Sequence, residues 1–311
     1  MKFYVDAWDP SYGSPLSGDD PADSQAEVDP SIEIQESLWR PLPGEGVMRP
    51  VVFVDGVRRI DARVWIESAD ATLHPGLCAS WAAGAVLCDG RATVIAAAPM
   101  RGLFTAGFGA SPIVTRHGVF DPRPANGDAI EQLSSGLQDA MGADEIRIAA
   151  EARVDADGRG DGDLLVVVDG PLGQRTPMAS TVGMVKSERA KYLDPHLDRM
   201  VNHLAPGERT PVFAILARFN RYSWYVRLPG GDVGPRTGVV RCECSASVGI
   251  DDAVALADAV TGLLPKYASE RHKDPRAPQN LYPIAGLERE LRRRLGDQHL
   301  VYRALRAAAH A

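Results

Sequence analysis

Two stretches of the chain end alike. Val51-Val52-Phe53-Val54 runs into Asp55-Gly56, and Leu165-Val166-Val167-Val168 runs into Asp169-Gly170. A carboxylate closing a buried apolar strand is held firmly, and the glycine after it frees the backbone to turn and leaves room for a ligand. If the two strands are neighbours in one sheet, the carboxylates converge and repel each other unless a cation lies between them. Hard divalent ions take oxygen ligands of this kind. Two such ions about 4 Å apart can activate water and stabilise a leaving oxygen in phosphodiester cleavage. A third carboxylate is expected from the intervening helical sequence. Glu151 fits, because Ala149, Ala150 and Ala152 beside it permit close approach to a sheet. Each residue also has a plainer reading: Asp-Gly after a strand is most often a turn, and Glu151 alone is most often a solvated helix residue.

The surrounding elements follow from periodicity. Val51 to Val54 reads as a buried strand and Ala62 to Ile66 as a second one. Ala82 to Leu87 and Ala92 to Ala98, separated by Cys88-Asp89-Gly90-Arg91, read as a hairpin. Gly127 to Ala140 and about Ala143 to Val154 have helical spacing. Leu164 to Val168 is the most apolar run and predicts a strand covered on both faces. Further strands are expected at Val212 to Phe219, Trp224 to Leu228 and Gly238 to Cys244. A helix is expected from Asp251 to Leu264, capped by Asp251 or Asp252, and a last one from about Ile284 to Leu295. This order predicts an α/β (mixed α+β) fold, a mixed sheet flanked by helices. Residues 1–36 form an acidic N-terminal arm, partly irregular, with Met1 to Trp8 as a potential edge strand. Residues 37–311 form the main domain.

The net charge of −7 is concentrated in that arm. Residues 1–36 carry Lys2 against nine acidic side chains, leaving 33 basic and 32 acidic groups in the rest. The total therefore does not exclude nucleic acid, whose binding depends on where positive charge sits. Cys242 and Cys244 alternate and share a face, but a second Cys/His pair at zinc spacing is missing. Buried free thiols in a reducing cytoplasm account for the four cysteines more simply. No run is long and apolar enough for a membrane helix, and Met1 to Pro10 does not read as a signal peptide. A cytoplasmic protein is expected.

Taken with Val182-Gly183-Met184-Val185-Lys186-Ser187 and Tyr282-Pro283, the two Asp-Gly strands form an ordered set. Over about residues 50–300 this set resembles the NurA nuclease family, which has an RNase H-like core. The resemblance implies that Asp55, Glu151 and Asp169 bind metal, Mn2+ or Mg2+, as a pair of ions. It makes Lys186 a contact to the scissile phosphate and places Tyr282 near the active site. It further implies single-strand endonuclease and 5′-3′ exonuclease activity on DNA, a homodimer, and a HerA-type hexameric ATPase as partner, in repair or defence. One position departs from the pattern. Glu290 stands where the family commonly has a histidine about eight residues after the tyrosine, and His272 and His299 are candidate substitutes. Arg58, Arg59, Arg289, Arg292, Arg293 and Arg294 are candidates to line a DNA channel, or form a solvated face.

Two rivals remain open. An actin-like or sugar-kinase-like ATPase shares the core and also uses Asp-Gly turns, though Val57-Arg58-Arg59 after Gly56 fits poorly with a phosphate cradle. A catalytically silent adaptor that binds a HerA-type ATPase is the other.

Overall fold

The computed structural model describes residues 22–23, 26–45, 49–68, 71–107, 109–159, 164–172, 179–186, 190–217, 219–230 and 234–310. The expected strand at Met1 to Trp8 and the side chain of Ser187 lie outside these residues. In chain order the elements are β1 (Ala22–Asp23), β2 (Glu27–Asp29), β3 (Leu42–Pro43), β4 (Val51–Glu67), β5 (Leu73–Asp89), β6 (Arg91–Thr105), β7 (Ile113–Thr115) and β8 (Gly118–Pro124). There follow α1 (Ile130–Arg159), β9 (Leu165–Asp169), β10 (Thr181–Val185), β11 (Ala190–Lys191) and α2 (Pro195–Val201). The chain ends with β12 (Glu208–Arg209), β13 (Phe213–Leu216), β14 (Arg221–Arg227), β15 (Val239–Ser245), α3 (Ile250–Leu263), α4 (Tyr282–Leu295) and α5 (Gln298–Ala308). The fold is mixed α/β, as the sequence predicts.

The chain divides into two compact units. The first comprises Met1–Phe53, Cys88–Arg91 and Ala156–Ala285; the second comprises Val54–Leu87, Ala92–Asp155 and Gly286–Ala311.

In the first unit the strands run in the order β2-β13-β14-β15-β10-β9, followed by the opening of β4. All pairings from β2 to β10 are antiparallel, and β9 runs parallel to β10. The amide of Leu165 donates to the carbonyl of Pro50 (3.2 Å), placing Val51–Phe53 beside β9. Leu165 to Val168 are wholly buried, as expected of a strand covered on both faces. On one face α2 sends Leu197 and Val201 into a cluster with Trp39, Phe213, Ile215 and Tyr225. Helix α3 begins at Ile250, with Gly249 as its cap, rather than being capped by Asp251 or Asp252. Those two carboxylates stand in its first turn, where they complement the helix dipole.

The second unit carries the rest of β4, then β5, β6, β8 and β7. Strand β5 is buried on both faces because helices cover both. Leu77, Ala79 and Trp81 pack against Leu133, Leu137 and Met141 of α1. Cys78, one pleat out of phase, packs with Val301 and Leu305 of α5. The two expected helices are one, α1, of 30 residues. Gly142, which reads as a break, costs about 1 kcal/mol in a helix interior, a penalty that the packed face of α1 outweighs. Likewise, Val51 to Val54 and Ala62 to Ile66 belong to one 17-residue strand. Helices α2 and α5 have no counterpart in the sequence reading. Among the described residues no helix is long and apolar enough to cross a membrane.

Candidate functional site

In the first unit, Asp169 closes β9 and the chain turns at Gly170, whose φ is +105°. Parallel pairing puts Asp169 opposite Met184. Side chains two residues apart in a strand share a face, so Lys186 follows on the face of Asp169. Its Nζ lies 2.6 Å from Asp169 Oδ2 and 2.8 Å from Asn280 Oδ1. The Lys186 side chain is only 7% exposed. Asn280, wholly buried, donates from Nδ2 to Asp274 Oδ2 at 2.7 Å. Asp274 in turn accepts from the Arg276 amide at 2.8 Å.

The turn after Asp169 is tightly seated. A Cβ on Gly183 would stand 2.7 Å from the Gly170 carbonyl oxygen and 3.0 Å from the Leu172 nitrogen. Gly183 therefore lets the Gly170 to Leu172 backbone lie directly on β10. Glu243, opposite Gly183 in β15, accepts from the Leu172 amide at 2.8 Å. It is itself held by Arg241 (2.5 Å) and Arg221 (3.2 Å). Burial disfavours the charge on Arg241, but the Glu243 carboxylate more than compensates and raises its pKa.

Tyr282 starts α4 half-exposed, with the Lys273 ammonium 5.1 Å from its ring centre. Hydrogen bonds with Tyr282 and then Glu270 raise the Lys273 pKa above the ordinary lysine value. His272 is exposed beside Glu270. Cys242 and Cys244 are buried free thiols, and burial pushes Cys244 up to about 12.

In the second unit, Asp55 is 5% exposed, and its Oδ1 accepts from the Gly56 amide at 2.7 Å. Gly56 does not turn the chain, since β4 runs on through it to Glu67. Its lack of a side chain serves α1 instead. A Cβ there would stand 2.5 Å from Glu145 Oε1 and 2.8 Å from Met141 Cγ. Asp55 projects to the opposite face, where α4 supplies Glu288, 9% exposed. Asp55 and Glu288 each bring a carboxylate oxygen within 4.8 Å of the other.

The helical carboxylate beside Asp55 is therefore Glu288, not Glu151. Glu151 is exposed on α1 and pairs with Arg147 at 2.8 Å, four residues before it. Glu288 left a signal in the sequence. It falls within the buried stripe Ile284, Leu287, Leu291 and Leu295, where the helical period calls for an apolar residue. Glu290 lies off that stripe. Hydrogen bonds from Arg293 and Arg294 pull its carboxyl pKa down to about 2.

The candidate DNA-contacting arginines divide. Arg59 is not a free cation: it donates to the carbonyls of Gly296 (2.7 Å) and Leu295 (3.3 Å), closing the end of α4, and pairs with Asp61. Arg293 and Arg294 hold Glu290, and Arg292 reaches back to Glu288 at 4.0 Å. Arg58 and Arg289 stand exposed. His299 is exposed on α5.

The chain matches no protein-family model and no curated protein sequence.

Proposed function

We propose that this protein is a divalent-metal-dependent deoxyribonuclease of the NurA type, in which Asp55 and Glu288 hold a Mn2+ or Mg2+ ion. The observation that carries this reading is the pair itself: two carboxylates, both nearly buried, with oxygens within 4.8 Å. Ionised carboxylates so placed repel each other, and a hard cation converts that repulsion into binding. The donor set is all oxygen, which suits these ions rather than a thiolate-seeking metal. By the resemblance, Asp169 serves the same metal centre. A bound ion of this class supplies an activated water and charge for the leaving oxygen.

The protein's own contribution is positional. Lys186 carries a cation to the Asp169 strand end, where an anionic phosphate is drawn. Gly170 and Gly183 seat the turn that fixes Asp169. Of the candidate arginines, Arg58 and Arg289 are exposed and offered to a DNA backbone. A HerA-type ATPase partner and a homodimer belong to the same proposal by resemblance, and a cytoplasmic setting belongs to it by the four free cysteines. The kinase-like rival is disfavoured because Asp55-Gly56 lies inside a continuous strand, so no phosphate loop follows it.

The test is degradation of single-stranded DNA with Mn2+ by wild type and by Asp55→Asn, Glu288→Gln and Asp169→Asn. Loss of an outer-shell partner alone costs about 10- to 100-fold in metal sites, so each ligand variant is expected to lose at least about that much. Unchanged cleavage in the Asp55 and Glu288 variants would overturn the metal assignment. No cleavage by wild type, even with a HerA-type ATPase added, would favour the adaptor.

A further inference from the structure

We infer that Asn280 is the positioning residue for Lys186, and that Asp274 sets its orientation. The inference deepens the nuclease reading and rests on it for the purpose of the lysine. The side chains form a chain within one unit: Asp274 Oδ2 accepts from Asn280 Nδ2 (2.7 Å), and Asn280 Oδ1 accepts from Lys186 Nζ (2.8 Å). The same Nζ reaches Asp169 Oδ2 at 2.6 Å.

The chemistry of the amide makes the chain directional. A carboxylate accepts and an ammonium only donates. With Asp274 at one end, the amide must turn its NH2 toward Asp274 and its oxygen toward Lys186. An aspartate at 280 would oppose the Asp274 carboxylate, and a leucine would leave the lysine nearly buried with one partner fewer. Asn280 also has no freedom to wander. It is wholly buried, and its backbone N–H donates to the Arg276 carbonyl at 3.1 Å. The neighbouring Gln279 bonds through Nε2 to the Val239 carbonyl at 3.0 Å, tying the segment to β15.

A flexible four-carbon side chain acts as a point charge and needs partners to hold it. Asp169 alone would let the ammonium follow the carboxylate. Asn280 gives it a second, uncharged anchor on another segment, so Lys186 keeps its place when Asp169 engages an ion.

The experiment reads Lys186 directly. Acetylation of the full-length protein by an N-hydroxysuccinimide ester is followed lysine by lysine by mass spectrometry, with Lys191, Lys266 and Lys273 as internal references. In wild type Lys186 is expected to react slowest. In Asn280→Ala and Asp274→Asn its rate is expected to rise several-fold while the references stay constant. A Lys186 rate unchanged in a variant that keeps the wild-type circular dichroism spectrum overturns the inference. If Asn280→Ala unfolds, all lysines accelerate together, and Asp274→Asn decides.

Cleavage assays separate the two claims. Under the nuclease reading, the variants lose about tenfold in kcat, the size of an outer-shell effect, with KM unchanged. A faster Lys186 in the variants with no cleavage by wild type supports the positioning role and removes the nuclease reading. A faster Lys186 with unaltered kcat shows that Asn280 does not position the lysine for catalysis.

Discussion

At Asp55-Gly56 the strand carries on as far as Glu67, whereas at Asp169-Gly170 it stops and the backbone turns with φ at +105°. The same dipeptide after the same kind of apolar run thus has two structural causes. Gly56 is small because α1 presses on it through Glu145 and Met141. Among the described residues Gly170 has nothing within 4 Å of where a Cβ would sit, and is glycine because of its dihedral. The aspartates differ as well: Asp169 meets a lysine, and Asp55 stands near a second carboxylate. A sequence motif fixes where an acid sits along the chain; its partners come from elements far away in sequence.

The contrast can be broken most sharply through the helical carboxylates. Glu288→Gln is expected to weaken Mn2+ binding, read by calorimetry, by at least about tenfold, while Glu151→Gln on the surface of α1 leaves it unchanged. Equal effects would restore Glu151 to the site and erase the distinction. Next come the glycines. Gly56→Asn forces a side chain into the space of α1 and is expected to cost about 3 kcal/mol in urea unfolding. Gly170→Asn is expected to cost about 1 kcal/mol or less, because asparagine tolerates positive φ better than other residues. A reversed order would mean that the two glycines have exchanged explanations. Gly183→Ala lies between, at about 1 to 3 kcal/mol, because its Cβ meets the backbone of the Gly170 turn. The smallest effect concerns Glu290. Its pKa is depressed from 4.5 to about 2 by Arg293 and Arg294, so its contribution to α4 is present above about pH 4.5 and fades as pH falls toward 2. The pair is exposed and salt screens it. Glu290→Gln should flatten only that acid limb of a thermal-melt profile.

Much of the fold was legible because burial leaves a periodic trace. Leu165 to Val168 announced a covered strand, and the stretches around Trp224 and Val240 announced strands whose antiparallel pairing only the structure shows. Asp169 and Lys186 were legible as candidates, although only the β9–β10 register shows that they share a face. Glu151 misled because an alanine-rich neighbourhood looks like close packing, yet in the turn around it on α1 the buried positions are Ile148, Ala149 and Ala152 and the glutamate is exposed. Glu288 was hidden by its neighbours: Glu and Arg fill 288 to 294 except for Leu291 and read as a solvated face until the stripe through Leu287 and Leu291 is followed. Arg59 reads as a surface cation because its partners, the last carbonyls of α4, lie more than 230 residues away.

The acidic start of the chain has a practical bearing on how the protein is handled. Composition suggests trimming it at residue 36, yet Glu33 gives both carboxylate oxygens to Arg209, at 2.8 Å each, and accepts the Val212 amide. Arg209 is 2% exposed, and burial would disfavour its charge were Glu33 and Asp258 not there to hold it. The same cut would strip β2 from β13 and open a sheet edge to other chains. A recombinant protein beginning at residue 37 should therefore express as an aggregate, whereas one beginning near residue 26 keeps both the edge and the arginine's partner.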